Sequence, residues 1–267
     1  MSKTILLTGI SGFIAKRIAL DLLEAGHTVR GSLRSMDRAE EVRAALRSKL
    51  GDPSALERLS FVALDLTSDT GWSDAMAGVD VLMHTASPFP MAQPKNPDDL
   101  VRPAVDGTLR ALNAAHAAGI KHVVLTSSTV AVMYNEAAKS RPVTEGDWTE
   151  PDHPTVSTYA LSKTLAEKAA WAFIGDHPEM SLTTVNPGLV VGTPMDDRFG
   201  TSLGLIERLL SGKDPALPEI GFPVVHLDDV SRLHVQAVDD PKMRNTRNIA
   251  AADVRTMIEM GRLLGTA

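Results

Sequence analysis

The 267-residue sequence predicts an α/β fold, a doubly wound parallel sheet with a smaller C-terminal lobe. Three observations predict it. Short apolar runs alternate with stretches of helical periodicity over residues 1–190, which is typical of strand–helix repeats. The connections between these segments are short, so we expect parallel strands with helices on both faces of the sheet. A glycine-containing turn follows the first apolar run, at the place where such sheets bind a dinucleotide.

Each predicted strand is a short run of apolar and β-branched residues, and each predicted helix carries apolar residues at helical spacing. Glycines at 26 and 51 end the first two helices. The predicted strands are Thr4–Thr8, His27–Leu33, Phe61–Leu66, Val79–His84, Lys121–Ser127 and Ser181–Asn186. The predicted helices are Ile14–Leu23, Asp37–Leu50, Asp98–Ala118 and Thr158–Phe173. Residues 1–190 are therefore assigned to one dinucleotide-binding domain.

The alternation fades after Pro187, where glycine and proline become frequent. This part predicts a lobe of loops with a helix at Ser202–Leu210, and a second helix at Met257–Leu264. We assign residues 191–267 mostly to a substrate lobe, with 224–240 returning to the first domain.

Composition excludes several classes of protein. The absence of cysteine excludes disulfides, thiolate metal sites and a cysteine nucleophile. A net charge of −6 argues against nucleic-acid and anionic-membrane partners, which need a basic face. No apolar run approaches the roughly 20 residues of a membrane span, and Met1–Thr4 leads directly into the first strand. The eight histidines show no metal-ligand spacing. We therefore expect a cytoplasmic protein without a metal.

The turn Thr8–Ala15 (TGISGFIA) has the pattern of a pyrophosphate-binding turn. Gly9 permits the sharp bend, Gly12 lets the backbone approach the phosphates, and Ala15 still allows close packing of helix on sheet. The free N–H groups at the start of the following helix then meet the anion. An ordinary strand–helix turn is the alternative interpretation.

The end of the second strand indicates which dinucleotide is bound. An acid there holds the ribose hydroxyl of NAD, whereas an arginine suits the 2′-phosphate of NADP. Arg34 stands there, with no acid before Asp37, so NADP(H) is the preferred cofactor, with NAD(H) also possible. Arg34 as a solvated surface charge is the alternative. After the third strand, Asp65 can accept a hydrogen bond from the adenine amino group or act as a cap.

Tyr159 and Lys163 are four residues apart on a predicted helix, so both side chains lie on one face. A nearby ammonium lowers the pKa of a tyrosine toward the range of acid–base catalysis. Ser128 follows the fifth strand at the sheet edge where doubly wound folds build their sites. It can donate to a substrate carbonyl while Tyr159 transfers the proton, although serines there more often cap turns.

These motifs together resemble the extended short-chain dehydrogenase/reductases, above all the dihydroflavonol reductase/cinnamoyl-CoA reductase group with its microbial aldehyde and ketone reductases. The resemblance covers essentially the whole chain and implies a Rossmann domain. It rests on TGISGFIA, VLTSS, YALSK and NPGLVVG, with support from Val29–Arg34, His84–Phe89, Val105–Leu109 and Gly221–Val230.

The resemblance implies roles for individual residues. Ser128 would orient the carbonyl, Tyr159 would be the general acid, and Lys163 would lower the Tyr159 pKa and hold the nicotinamide ribose. The cofactor would contact Gly9, Ser11, Gly12, Phe13, Ile14, Arg34, Asp65, Leu66, Thr85, Ala86, Ser87, Tyr159, Lys163, Pro187, Gly188 and Val190. The substrate pocket would include Pro88, Phe89, Met133 and Tyr134, together with the proline-rich loop Pro88–Pro97 and the lobe.

The expected function is therefore the NADPH-dependent reduction of a small-molecule aldehyde or ketone by a monomer or homodimer. A nucleotide-sugar epimerase or dehydratase of the same superfamily is one alternative, but residues 188–225 offer only Arg198, Arg208 and Lys213 to a diphosphate. A non-catalytic dinucleotide sensor is the other, and it typically lacks the Tyr–Lys pair.

The sequence departs from the family in two places. Ala39–Glu41 stands where many plant relatives have a lysine that assists the 2′-phosphate. Family members also usually continue beyond the position of Ala267, so we expect part of the lobe to be lacking.

Overall fold

The computed structural model describes residues 1–88, 94–213 and 216–265. Its main sheet has seven strands, all parallel, in the order β3-β2-β1-β4-β5-β6-β9. The order reverses direction between β1 and β4, which is the switch point where such sheets bind ligands. The strands are β1 Thr4–Thr8, β2 Thr28–Leu33, β3 Leu59–Ala63, β4 Val81–His84, β5 His122–Thr126, β6 Ser181–Pro187 and β9 Thr246–Ala250.

Helices cover both faces of this sheet. They are α1 Phe13–Glu24, α2 Ala39–Arg47, α3 Trp72–Met76, α4 Asp98–Ala117, α5 Thr158–Asp176 and α7 Leu227–Asp239. Alternate residues of the strands point to opposite faces. Ile5 and Leu7 therefore pack with α1, α2 and α7 in one core, while Leu6 packs with α3, α4 and α5 in the other. This arrangement confirms the predicted doubly wound fold.

The smaller lobe contains a second sheet of three strands, β7 Leu189–Val191, β8 Gly221–His226 and β10 Asp253–Thr256. Its helices α6 Gly200–Leu210 and α8 Met257–Leu263 pack over a small core around Leu209, Met257 and Met260. A Cβ on Gly188 would lie 2.2 Å from the carbonyl oxygen of Pro223, so this glycine allows the chain to pass from β6 into the lobe.

Several predicted boundaries need correction. The third strand begins at Leu59 and ends at Ala63, not at Leu66, because the Asp65 carboxylate accepts hydrogen bonds from the N–H and hydroxyl of Thr67 and forms a turn. The second helix starts with a 3₁₀ turn, Met36–Arg38, and ends at Arg47. The sequence predicted neither α3, α7 nor β9, although Thr246–Ala250 pairs with β6 in the main sheet. The lobe, predicted as loops with helices, also contains a three-stranded sheet.

Within the described ranges, none of the helices combines the length and the apolar character that crossing a membrane requires.

Candidate active site

The candidate site lies where β1, β4, β5 and β6 end at one edge of the sheet. Thr8, the last residue of β1, connects the end of β1 to the end of β4 through hydrogen bonds. Its hydroxyl oxygen accepts hydrogen bonds from the N–H groups of Thr85 and Ala86, at 3.1 and 3.0 Å, and lies 2.9 Å from Nδ1 of His84. The predicted cofactor segment Thr85–Ser87 is thereby held against the start of the glycine turn.

The glycine turn has the shape that a pyrophosphate needs. Gly9 has a φ of +68°, and a Cβ on it would lie 3.1 Å from Ala86. The N–H of Gly12 donates to the carbonyl of Gly9 at 2.9 Å, which closes the turn. Among the described residues, no side chain caps the start of α1 at Gly12. The first N–H groups of this helix, at Phe13 and Ile14, therefore suit an anion, and the turn fits the predicted dinucleotide.

Two arginines follow β2, and one of them reaches this turn. Arg34 is exposed directly after β2, while the Nη1 of Arg38 donates to the Ser11 hydroxyl at 3.0 Å. The Nη2 of Arg38 also donates to the Glu41 carboxylate at 2.7 Å. Arg38 was not among the predicted site residues, although it lies one helical turn after Arg34 in the sequence.

Asp65, predicted as an adenine ligand, uses its Oδ1 in the turn with Thr67. Those hydrogen bonds hold its pKa below the usual range. Its neighbour Leu66 is half-buried and packs against α4, where a Cβ on Gly107 would lie 3.0 Å from the Leu66 Cβ.

Ser128, Tyr159 and Lys163 come together at the ends of β5 and α5. The Ser128 hydroxyl is hydrogen-bonded to Tyr159 and lies 3.3 Å from the carbonyl oxygen of Pro187. Lys163 is 8% exposed, and its ammonium donates to the carbonyl of Thr126 at 3.3 Å. Ser157 caps α5 by accepting a hydrogen bond from the N–H of Ala160, so the helix starts directly before Tyr159.

The titration of Tyr159 differs from the sequence-based expectation. Burial raises its pKa above the ordinary value, and the hydrogen bond with Ser128 offsets only part of that rise. Lys163 does not produce the expected lowering here, because its ammonium is directed to the Thr126 carbonyl and burial lowers the Lys163 pKa to about 8. Tyr159 is therefore a protonated acid at neutral pH.

His84, the last residue of β4, is a buried histidine beside the site. Burial and the nearby Lys163 lower its pKa to about 3, so it is neutral. Because the Thr8 hydroxyl already accepts two N–H groups, its own hydrogen is free to bond His84 Nδ1, which leaves the ring proton on Nε2. Among the residues described, His84 Nε2 has no hydrogen-bond partner.

The other predicted residues that the structure describes are buried or half-buried. Val190 is buried in β7, and Gly188 donates its N–H to the carbonyl of Ala250 at 3.0 Å. Met133 and Tyr134 are half-buried in the segment that follows Ser128, and the Tyr134 ring lies 6.3 Å from that of His153. Pro88 is half-buried, whereas Phe89 lies outside the described residues.

The sequence matches the model of the NAD dependent epimerase/dehydratase family over residues 5–250. It is 36% identical to tetraketide alpha-pyrone reductase 2 of Arabidopsis thaliana, in an alignment that covers 89% of this chain and 74% of the relative. Cinnamoyl-CoA reductase CAD2 of Medicago truncatula is 32% identical, with 90% of this chain and 73% of the relative covered.

Solved structures show the same architecture. The yeast methylglyoxal/isovaleraldehyde reductase Gre2, complexed with NADPH, superposes with a TM-score of 0.84 at 28% identity, covering 95% of this chain and 79% of that one. Vestitone reductase from alfalfa (Medicago sativa) superposes with a TM-score of 0.80 at 29% identity, covering 99% of this chain and 81% of that one.

Proposed function

The chain belongs to the NAD-dependent epimerase/dehydratase family and is an NAD(P)-dependent oxidoreductase, and on that premise we propose that it reduces aldehydes or ketones to alcohols with NADPH. The observation that carries this proposal is the hydrogen-bonded pair of hydroxyls, Ser128 and Tyr159, at the sheet edge that also holds the glycine turn. Relatives that are named reductases support it.

Each residue of the site then has a chemical task. When bound, NADPH supplies a hydride to the carbonyl carbon of the substrate. Ser128 donates a hydrogen bond to the carbonyl oxygen and stabilises the negative charge that develops there. Tyr159 gives its phenolic proton to that oxygen. Lys163 binds the nicotinamide ribose through its ammonium.

The cofactor would be held at its pyrophosphate and at its 2′-phosphate. The N–H groups at the start of α1 would bind the pyrophosphate, while Arg34 and Arg38 would bind the 2′-phosphate. The half-buried side chains of Pro88 and Met133 give the substrate side an apolar character. We therefore propose aromatic or medium-sized aliphatic carbonyls as substrates.

The test is a panel of aldehydes and ketones assayed with NADPH and with NADH, comparing the wild type with Tyr159→Phe. This change keeps the ring and removes the proton donor, so we expect kcat to fall by about a hundredfold or more with little change in the Kd for NADPH. Lys163→Met should lower both kcat and the affinity for NADPH. Lys168→Met, on the same helix with its ammonium 5.4 Å over the Trp148 ring, is the matched control.

Two outcomes would contradict the proposal. One is a Tyr159→Phe variant that retains most of its activity, since the proton would then come from elsewhere. The other is robust turnover of a UDP- or GDP-sugar with tightly held NAD, which would make the protein an epimerase or dehydratase.

A further inference from the structure

A buried carboxylate that this chemistry does not use lies beside the site. Glu167 is on α5, one helical turn after Lys163, and is 1% exposed. Its Oε2 accepts hydrogen bonds from the Ser127 hydroxyl at 2.5 Å and from the Asn186 amide at 2.7 Å. Its Oε1 accepts one from Nε of Arg247 at 2.7 Å. Burying a carboxylate costs free energy unless hydrogen bonds satisfy its oxygens. The donors around Glu167 therefore form a specific site for this side chain.

These contacts join the three elements that supply the site. Ser127 belongs to the segment after β5, directly before Ser128. The Asn186 amide, on β6, donates both to Glu167 and to the backbone carbonyl of Ser128, the latter at 3.2 Å. Glu167 therefore fixes the backbone on both sides of the Ser128 hydroxyl from within the helix that carries Tyr159 and Lys163.

Glu167 also acts on Lys163 through its charge. Burial disfavours the ammonium form of Lys163, and the Glu167 carboxylate favours it. From β4 the buried ring of His84 faces Lys163, and it is neutral at physiological pH. From β5 the Thr126 carbonyl accepts from the ammonium, and on α5 Tyr159 is protonated. Arg247, reaching from β9, carries a positive charge on the other side of Glu167.

We propose that Glu167 is a positioning residue, which fixes the strand end bearing Ser128 and keeps Lys163 charged so that an ammonium meets the cofactor ribose. The inference rests on the proposed function, because that function assigns Lys163 to the cofactor.

The experiment compares two variants that break the Glu167–Arg247 ion pair, each by replacing one of the partners. Glu167→Gln removes the carboxylate and keeps the side-chain shape, whereas Arg247→Gln keeps the carboxylate. Arg247 also donates to the carbonyls of Glu145 and Asp147, both at 2.6 Å, and stacks on Trp148, so its loss disturbs more of the surroundings. A purely structural role would therefore affect Arg247→Gln at least as strongly as Glu167→Gln.

The first readout is the pH midpoint of Lys163 acetylation by trace acetic anhydride, measured by mass spectrometry of the peptide that contains Lys163. The free amine reacts and the ammonium does not, so this midpoint reports the Lys163 titration without any cofactor. We expect Glu167→Gln to lower it by about one pH unit and Arg247→Gln not to lower it. The second readout is the Kd for NADPH, which in Glu167→Gln should rise about fivefold at pH 8 and little at pH 6.

Equal midpoints in the wild type and Glu167→Gln would overturn the inference, as would equal downward shifts in both variants. Thermal unfolding of each variant shows whether it is folded. If Glu167→Gln does not fold, the double variant Glu167→Gln/Arg247→Met also removes the guanidinium that Glu167 pairs with, and it should again show a lowered midpoint. Failure of the wild type to bind either nicotinamide cofactor would contradict the proposed function, while the acetylation midpoints would still decide the role of Glu167.

Discussion

The candidate site holds two titratable residues, the half-buried Tyr159 and the buried Lys163, whose pKa values move in ways that suit reduction. Burial raises the pKa of Tyr159 and lowers that of Lys163 to about 8, because it disfavours the phenolate in one case and the ammonium in the other. Near neutral pH the tyrosine is therefore a proton donor and the lysine is mostly a cation. These are the forms in which a reductase needs the two side chains.

The pH dependence of cofactor capture follows from Lys163. The ammonium is present below its pKa of about 8 and is lost as the pH rises through that value. We expect kcat/KM for NADPH, which reports the free enzyme, to be level from about pH 6 to 7.5 and to fall above about pH 8. Steady-state rates across this range, with Lys163→Met as the comparison, provide the measurement. A decline that begins only near pH 10 would assign the alkaline limb to Tyr159 instead.

The positions of these side chains could be predicted, but their titration could not. Helical periodicity places Tyr159 and Lys163 on one face whatever surrounds them, and the end of a parallel strand brings Ser128 to the same sheet edge. The direction in which the Tyr159 pKa shifts depends on burial by residues far away in the sequence. Glu167 was missed for the same reason, since the donors to it include Ser127, Asn186 and Arg247, which come from three different strands or their ends.

At the scale of elements, the start of α2 decides which arginine faces the phosphate-binding turn. A 3₁₀ turn, capped by the Ser35 side chain, precedes the helix and directs Arg38 toward Ser11, while Arg34 remains exposed. The Glu41 carboxylate accepts from both Nε and Nη2 of Arg38 and holds the guanidinium in this orientation. Glu41, which stands in the stretch that weakens the sequence-based prediction of NADP, thus also orients the Arg38 guanidinium.

Substitution of the two arginines separates their contributions to cofactor choice. Arg34→Ala and Arg38→Ala should each raise the KM for NADPH about tenfold and leave that for NADH nearly unchanged, because a guanidinium bonded to the 2′-phosphate serves only NADPH. Initial rates with both cofactors measure this. Arg43→Ala is the control, since Arg43 lies on α2, directly after this segment, with its guanidinium 5.4 Å from the centre of the Phe61 ring. Equal effects on NADPH and NADH would mean that the arginines are only structural.

The elements that could be predicted from the local sequence pattern are those with a simple apolar periodicity. β1, β2, β4, β5 and β6 are inner strands of the sheet and β3 is an edge strand, and all six were predicted from short apolar runs. β9 has the sequence TRNIA, and its polar side chains make their bonds inside the protein, Arg247 to Glu167 and Asn248 to the carbonyl of Thr184. A strand whose polar residues are satisfied by distant partners resembles a loop in the sequence, which explains why β9 was missed.

At the scale of the whole molecule, a buried ion pair ties the lobe to the dinucleotide-binding domain. The side chain of Lys16, on α1 just after the glycine turn, is 1% exposed and bonds Asp196, which follows β7 and has a side chain 19% exposed. Arg198, two residues later, lies with its Nε 3.6 Å from the Glu41 carboxylate. The segment after β7 is thus anchored by charges to both α1 and α2, on either side of the turn that would hold the pyrophosphate.

Lys16 and Asp196 are buried to different extents, so replacing one or the other should lower the free energy of unfolding by different amounts. Asp196→Asn leaves a fully buried ammonium without a counter-charge, so we expect the free energy of unfolding to fall by about 3–5 kcal/mol. Lys16→Met should cost less, because the Asp196 side chain is less buried than that of Lys16 and its Oδ1 still accepts a hydrogen bond from the N–H of Arg198. The double variant Lys16→Met/Asp196→Asn should recover most of the loss seen in Asp196→Asn. Urea unfolding measures all three, with Lys139→Met, which breaks an exposed pair with Glu136, as a control expected to show no measurable loss. Equal losses in the two single variants would show that the unequal burial of Lys16 and Asp196 does not set the cost of breaking the pair.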